Sequence, residues 1–246
     1  MICTPTALIT GGSRGIGLGI ATFLAAQGWA LTLNARRHDR LKEARIELDR
    51  LGGTVQIVAR DLADEPAADD VVASHEREFG SMNALILAAG VGSGAPLDGY
   101  PMHRFDKQFA VNLRAPFNLV SRALPLLRAG ARALPERGGR VVALASLEGV
   151  YAEDGLAAYG ASKAALVSLV RSINAEEGAN GITASAISPG YVHNDMSAWV
   201  SDAIAPDTMI SIADVVKVVE LVLGVSPNAV LPHIIINRTR AGAYRA

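Results

Sequence analysis

The chain has 246 residues, half of them apolar and only 5% aromatic, with a formal net charge of −1. That balance leaves no electrostatic footprint for nucleic acid or an anionic membrane surface, and no apolar stretch is long enough to span a bilayer. The single cysteine, Cys3, excludes an internal disulfide and a multi-cysteine metal site, and the histidines are scattered without ligand spacing, so the expectation is a metal-free, cytoplasmic protein acting on a small molecule.

Apolar residues at 6–10 stop at a glycine cluster, and helical periodicity takes over at 15–28, which predicts strand, turn and helix. Gly11, Gly15 and Gly17 remove side chains where the turn is tight, where backbone approaches a bound group and where helix packs on strand. The N–H groups at the helix start then face an anion, most economically a pyrophosphate, with Ser13, Arg14 and Ile16 in the same turn. Residues 30–34 form a second buried strand and 38–51 a charged helix. The end of that strand is where a doubly wound sheet meets an adenosine ribose. There Asn34 and Ala35 are followed by Arg36 and Arg37 rather than by an acid. With Arg14 they supply guanidinium groups suited to a 2′-phosphate, which favours NADP(H) and leaves NAD(H) possible. The alternative is that Arg36 and Arg37 simply open a solvated helix.

A third strand at 54–59 precedes Asp61, Leu62 and a helix over 64–79. The fourth strand, 83–90, ends in the small residues Ala88, Ala89 and Gly90 beside the expected cofactor groove, and 91–99 is a glycine-rich loop. A long helical region, 102–128, should be bent or divided by Pro116 and Pro125. It contains Asn112, which is costly in an apolar stretch unless hydrogen-bonded, and so is either a satisfied core amide or a functional one. Residues 130–139 suggest a surface loop. The strand 140–145 delivers Ser146 at its C-terminal end, where open α/β sheets bind ligands. A helix over 157–178 puts Tyr159 and Lys163 one turn apart on one face. Strand 182–187 leads to Pro189, Gly190, Tyr191 and Val192, and the weakly periodic 193–210 is expected to be the body of a substrate lid spanning about 191–211. A helix at 212–223 and a strand at 233–237 complete the expected fold. It is a single domain, 1–246, built on a seven-stranded parallel, doubly wound (Rossmann-like) sheet with helices on both faces.

Thr10, the spacing Gly11-x-x-x-Gly15-x-Gly17, Asn112, Ser146, the run Tyr159-Gly-Ala-Ser-Lys163 and Pro189-Gly190 follow one another in an order that resembles the short-chain dehydrogenase/reductase family. The resemblance covers essentially the whole chain. It implies hydride transfer between a nicotinamide and a carbonyl or alcohol, with Asn112, Ser146, Tyr159 and Lys163 as the catalytic set. A phenol with a pKa near ~10 is a poor acid or base at neutral pH, but an ammonium one helical turn away would stabilise the phenolate and lower that pKa. Lys163 would thus tune Tyr159, Ser146 would orient the substrate oxygen, and Asn112 with Lys163 would pass the proton to water. The cofactor would lie on residues 11–17, Asn34, Arg36, Arg37, Ala88, Ala89, Gly90, Tyr159, Lys163, Pro189, Gly190, Val192 and Asn194. In the family an acidic and an apolar residue contact adenine where this chain has Asp61 and Leu62, although Asp61 would serve equally to turn the chain. Ser146, Glu148, Tyr151, Tyr159 and Tyr191 would line the substrate pocket, and a homodimer or homotetramer is implied.

The chain departs from the family at Leu87-Ala88-Ala89-Gly90, where Asn-Asn-Ala-Gly is usual, at Asn194, where a threonine is usual, and at Asn237-Arg238-Thr239, where an acid and paired glycines are common. Two other readings compete. Residues 11–15 also match the nucleophile elbow of serine hydrolases, with Ser13 as nucleophile and Asp195 and His233 following in suitable order, but no strand precedes the first to supply an oxyanion loop. A catalytically silent NAD(P)-binding protein would need neither Tyr159 nor Lys163.

Overall fold

The computed structural model describes residues 4–200, 202–239 and 241; Cys3 lies outside them. Among these residues seven strands, β1 (Thr6–Thr10), β2 (Ala30–Ala35), β3 (Thr54–Ala59), β4 (Ala84–Leu87), β5 (Gly139–Leu144), β6 (Ile182–Pro189) and β7 (His233–Ile236), form one sheet in the order 3-2-1-4-5-6-7. Every neighbouring pair is parallel. The helices are α1 (Gly15–Ala26), α2 (His38–Asp49), α3 (Ala67–Phe79), α4 (Met102–Phe109), α5 (Ala115–Ala133), α6 (Ala157–Glu177) and α7 (Ile212–Gly224).

Successive strand residues point to opposite faces, so each strand feeds two cores. Leu8, Leu85, Leu87, Val141 and Ala143 pack with Val71 and Val72 of α3, Leu119 and Leu127 of α5 and Leu166 and Val170 of α6. Ala7, Ile9, Ile86, Val142 and Leu144 pack on the other face with Ile20 and Leu24 of α1, Leu41 and Leu48 of α2 and Val215 and Val219 of α7. Both faces are covered, which is why the strands are nearly continuous apolar runs. The chain walks outward from β1 to β3 and then returns to place β4 on the other side of β1. That reversal opens a crevice at the C-terminal ends of β1 and β4.

Several boundaries differ from the sequence expectation for physical reasons. The 102–128 helix is divided, but N-terminal to the prolines, by a π-helical turn at Ala110–Arg114. Pro116 cannot donate to the Asn112 carbonyl four residues back, and the turn widens so that the Ala115 N–H reaches the Ala110 carbonyl five residues back. Pro125 lies inside α5 without ending it; it and Ser121, whose carbonyl it leaves unbonded, are both solvent-exposed. Residues 130–133 are helical rather than loop. A Cβ at Gly130 would fall 2.1 Å from the Met82 carbonyl oxygen, so glycine is there for close approach to the chain entering β4. β4 stops at Leu87, freeing residues 88–90 from the ladder, while β6 runs on to Pro189. The helix expected from 64 begins at Ala67, because Asp64 N–H turns back onto the Asp61 carbonyl at 3.0 Å. The long 193–210 segment is tied at its base by a bridge between Val192 and Ile210 and contains 3₁₀ turns at Asp195–Val200 and Pro206–Thr208.

Candidate active site

The glycine turn is built as its spacing demands. Gly11 and Gly15 have φ of 66° and 56°, a left-handed conformation that strains other residues. A Cβ at Gly11 would sit 3.0 Å from the Ala88 carbonyl oxygen, and one at Gly17 only 2.4 Å from the Gly11 carbonyl oxygen, whereas one at Gly15 would meet nothing within 4 Å. Thr10 stitches the turn to the end of β4, its hydroxyl donating to the Ile86 carbonyl at 3.3 Å and accepting from Ala89 N–H at 3.1 Å. Gly12 N–H reaches the Asn34 carbonyl at 3.1 Å and brings in the end of β2. Arg14, the residue before α1, gives that helix no side-chain cap, so the first N–H groups of α1 face the crevice with donors to offer.

Arg36 and Arg37 are exposed at the end of β2. The Arg37 guanidinium pairs with Asp39 at 2.6 Å, holding that carboxyl down to about 2, and Arg14 pairs with Asp195 of the lid segment at 2.6 Å. Both pairs are largely solvated and so weak. Four expected cofactor residues have structural duties. Asn34 is buried and donates to the Val58 and Arg60 carbonyls at 3.0 and 3.2 Å, with its own Oδ1 buried and unpartnered. Asp61 accepts from Ala63 N–H at 3.0 Å and turns the chain, while Leu62 and Val192 are core side chains. Ile16 packs partly against the same core as Val192. Gly190 N–H bonds the Ile236 carbonyl at 2.9 Å, and the Asn194 side-chain Oδ1 accepts from Met196 N–H at 2.8 Å within the lid turn.

Ser146 leaves the end of β5, and the 3₁₀ turn Leu147–Gly149 folds directly against the first turns of α6. The approach is close: a Cβ at Gly149 would lie 2.9 Å from the Lys163 carbonyl carbon, and one at Gly160 2.7 Å from the Glu148 carbonyl oxygen. Tyr151 N–H closes the turn on the Leu147 carbonyl at 2.9 Å. Ser146, Glu148, Tyr159 and Lys163 are thereby gathered on one small unit. The Ser146 hydroxyl donates to the Glu148 carboxylate and hydrogen-bonds Tyr159. Lys163 Nζ donates to the Leu144 carbonyl at 2.8 Å and lies 5.7 Å from the Tyr159 ring centroid.

The electrostatics differ from the expectation that Lys163 lowers the pKa of Tyr159. Burial pushes the phenol up to about 12, against the Ser146 hydrogen bond and assisted by the Glu148 charge. Burial also brings the Lys163 ammonium down to about 8, with Glu148 opposing. The physical reason is that desolvation penalises both charged forms, while the lysine head is turned to a carbonyl. Glu148 is raised, first by burial. The phenol is therefore protonated at neutral pH and chemically able to act as a proton donor. Asn112 is fully enclosed; its Oδ1 accepts from Val91 N–H at 2.9 Å, and its amide donates to the Val91 carbonyl at 2.8 Å and to Ser162 at 3.0 Å. Of the two roles open to it, its side chain visibly performs the bracing one.

The Tyr191 hydroxyl donates to Glu153 at 2.8 Å, and its ring meets Trp199 edge-on at 6.2 Å. Glu153 and Ser162 went unnoticed in the sequence: an acid just ahead of a helix looks like a dipole partner, and a serine inside the Tyr-x-x-x-Lys run looks like filler. The hydrolase constellation is not assembled, since Asp195 is with Arg14 and His233 bonds Ser188 at 2.8 Å. Among the described residues no group of three or more potential metal ligands occurs, and no helix is long and apolar enough to cross a membrane.

Residues 5–204 match the family model described as short chain dehydrogenase. The gluconate 5-dehydrogenase of Gluconobacter oxydans is 33% identical over 192 residues, covering 78% of this chain and 72% of that one. A 3-oxoacyl-[acyl-carrier-protein] reductase of Staphylococcus aureus is 30% identical over 203 residues, 82% of this chain and 80% of its own. Among solved structures, a blue fluorescent protein from a metagenomic library in complex with NADPH superposes with a TM-score of 0.84 at 25% identity, over 97% of this chain and 98% of that one. A crevice at the sheet reversal, a phenol–lysine pair beside it and relatives of this kind lead to one assignment: the chain belongs to the short-chain dehydrogenase/reductase family, oxidoreductases that interconvert alcohols and carbonyls with NAD(P).

Proposed function

We propose that the protein is an NADP(H)-dependent carbonyl reductase or alcohol dehydrogenase in which Tyr159 transfers the proton. The residues present fit a dinucleotide: Gly11 and Gly17 clear the backbone, and the open face of Gly15 is where a side chain would take up the ligand's room. The first N–H groups of α1 would hold the pyrophosphate. Residues 88–90 and 189–194 would hold the nicotinamide, which would supply or accept the hydride at the carbonyl carbon. Tyr159 gives its proton to the oxygen in reduction and takes it back in oxidation, Ser146 orients that oxygen, and the Lys163 charge stabilises the phenolate left between. The observation that carries the choice of NADP(H) is Ala35-Arg36-Arg37 at the end of β2, joined to the glycine turn by the Gly12 N–H bond to the Asn34 carbonyl, with no acid among those three residues and the nearby Asp39 neutralised by Arg37. The NADPH in the metagenomic relative agrees with this choice.

Parallel fluorescence titrations with NADPH and NADH test it. The expected result is preferential NADPH binding, weakened about tenfold or more by Arg36→Ala with NADH little changed, as for loss of a charge-assisted contact. Equal affinity for the two cofactors, equally affected by the substitution, would overturn the NADP(H) assignment.

A further inference from the structure

Glu148 is a buried carboxylate that the hydride and proton transfers leave without a task. It is only 9% exposed and lies in the short turn between β5 and α6, two residues after Ser146. The turn has little room to move: a Cβ at Gly160 would fall 2.7 Å from the Glu148 carbonyl oxygen, and one at Gly149 would meet the Lys163 backbone at 2.9 Å. Held there, the Glu148 carboxylate accepts a hydrogen bond from the Ser146 hydroxyl. A serine hydroxyl carries one proton and two acceptor lone pairs. Three oxygens compete for that proton: the Glu148 carboxylate, the Tyr159 phenol and, in the reaction proposed above, the carbonyl oxygen of the substrate.

A carbonyl oxygen only accepts, so Ser146 can orient it only by donating. While Glu148 is ionised it holds the one serine proton, and Ser146 faces the substrate as an acceptor. A protonated Glu148 reverses the arrangement. Its own O–H donates to Ser146, and the serine proton is free for the carbonyl. Charged and titratable groups face Glu148 from each neighbouring segment. From α6 come the Lys163 ammonium, which favours its ionised form, and the Tyr159 phenol; from the segment before α6 comes Glu153, which opposes ionisation. From the segment after β6 comes Tyr191, itself under the influence of the Arg238 charge. Burial outweighs these and raises the carboxyl above the ordinary 4.5, so a protonated fraction survives to higher pH than in a solvated acid.

We infer that Glu148 is a positioning residue for carbonyl reduction that acts through Ser146: protonated, it turns the serine hydroxyl into a donor toward the reacting oxygen, and ionised, it withdraws that donor. The inference rests on the oxidoreductase function above, and deepens the role of Ser146 in that same site. Glu148 consumes no proton in the reaction. The carbonyl carbon gains the hydride, its oxygen gains the Tyr159 proton, and the protons of Ser146 and Glu148 stay where they were, hydrogen-bonded.

Reduction of 4-nitrobenzaldehyde and 2,3-butanedione, followed from about pH 5 to 9 in the native protein, Glu148→Gln, Ser146→Ala and the double variant, tests it. The native kcat/KM should fall by about tenfold or more as pH rises through the titration of Glu148, as for one lost hydrogen bond to the reacting oxygen. In Glu148→Gln the amide N–H can donate to Ser146 at every pH, so that limb should be missing while the one set by Lys163 remains. With Ser146 replaced by alanine, the same substitution should change kcat/KM by less than about twofold, because the residue it acts through is gone. NMR of protein carrying ¹³C-carboxyl glutamate reads the coupling without turnover. The Glu148 signal, identified by its loss in Glu148→Gln, should titrate higher in Ser146→Ala than in the native protein, since the Ser146 hydrogen bond favours the carboxylate. Parallel native and Glu148→Gln profiles, an equal effect of Glu148→Gln with and without Ser146, or a Glu148 titration unmoved by Ser146→Ala would overturn the inference while leaving the oxidoreductase intact. Failure to bind either cofactor and to reduce either carbonyl would overturn both together.

Discussion

Lys163 holds its proton less firmly than a solvated lysine because burial brings it down to about 8, and the phenol beside it holds its proton more firmly, near 12. In the proposed mechanism reduction needs the phenol protonated and the ammonium charged, since the phenolate left after proton donation would be stabilised by that charge. The phenol satisfies its condition throughout the neutral range, so the lysine sets the alkaline limit. Carbonyl reduction by NADPH should therefore fall as pH rises through about 8, and initial rates across about pH 6 to 10 would trace the limb. In Lys163→Arg the guanidinium stays charged, and the limb should vanish from whatever rate remains; a limb at the same place would assign it to another group. At this scale the placing of Tyr159 and Lys163 on one helical face was legible, because residue type and spacing alone determine it. Their protonation was not, because it depends on enclosure by distant segments: a Cβ at Gly92 would stand 3.3 Å from the Tyr159 ring. Glu153 was illegible for a related reason, its partner Tyr191 lying beyond two further elements in the chain.

Helix α3 is fastened to the sheet by a buried imidazole. His75 is fully enclosed, its Nε2–H donating to the Ser81 carbonyl at 3.1 Å and its Nδ1 paired with the Thr32 hydroxyl of β2 at 2.8 Å. Burial holds this histidine near 4 instead of 6.5, so the folded chain takes up a proton less readily than the unfolded one. Its stabilising effect is complete above about pH 6.5 and is lost as pH falls toward 4, by about 3 kcal/mol in all. Urea denaturation between about pH 7.5 and 5 should show a steeper loss in the native protein than in His75→Gln, even though the variant starts lower; parallel curves would remove His75 as the cause. Element identities followed from hydrophobic periodicity, and the limits of β3 coincide with the expected ones. The misplaced break in the 102–133 region is instructive. Pro116 was visible, but a missing N–H acts on the carbonyl four residues earlier, so the disruption appears at Asn112 rather than at the proline.

The sheet as a whole separates chemistry from anchorage. The glycine turn, residues 88–90, Ser146 and Pro189-Gly190 all leave the C-terminal ends of strands, as ligand sites in such sheets do. The opposite ends carry polar ties. Asn83 accepts from Thr6 N–H and donates to the Gly130 carbonyl, both at 3.1 Å, and Arg140, 3% exposed at the start of β5, gathers distant chain segments. Its guanidinium donates to the carbonyls of Arg137 at 3.0 Å, Val225 at 2.6 Å and Ala229 at 3.4 Å and to the Thr183 hydroxyl at 2.6 Å. Among the described residues it has no carboxylate within salt-bridge distance, and burial alone lowers its pKa. One cation thus closes the connection between α7 and β7 onto the centre of the sheet. Arg140→Met keeps the apolar stem but removes the donors, leaving carbonyls buried and unpaired at a cost on the order of 3 kcal/mol. Ser146 is six residues along the strand, roughly 20 Å away at the rise of a β-strand, so the loss should reach stability without reaching the reaction. Denaturant midpoints should drop while kcat/KM at 25 °C stays within about twofold of the native value, an effect too small to register as a lost contact. A fall in kcat/KM matching the fall in stability would mean that the two ends of the sheet are mechanically coupled, and that the polar ties at its base help to shape the site at its top.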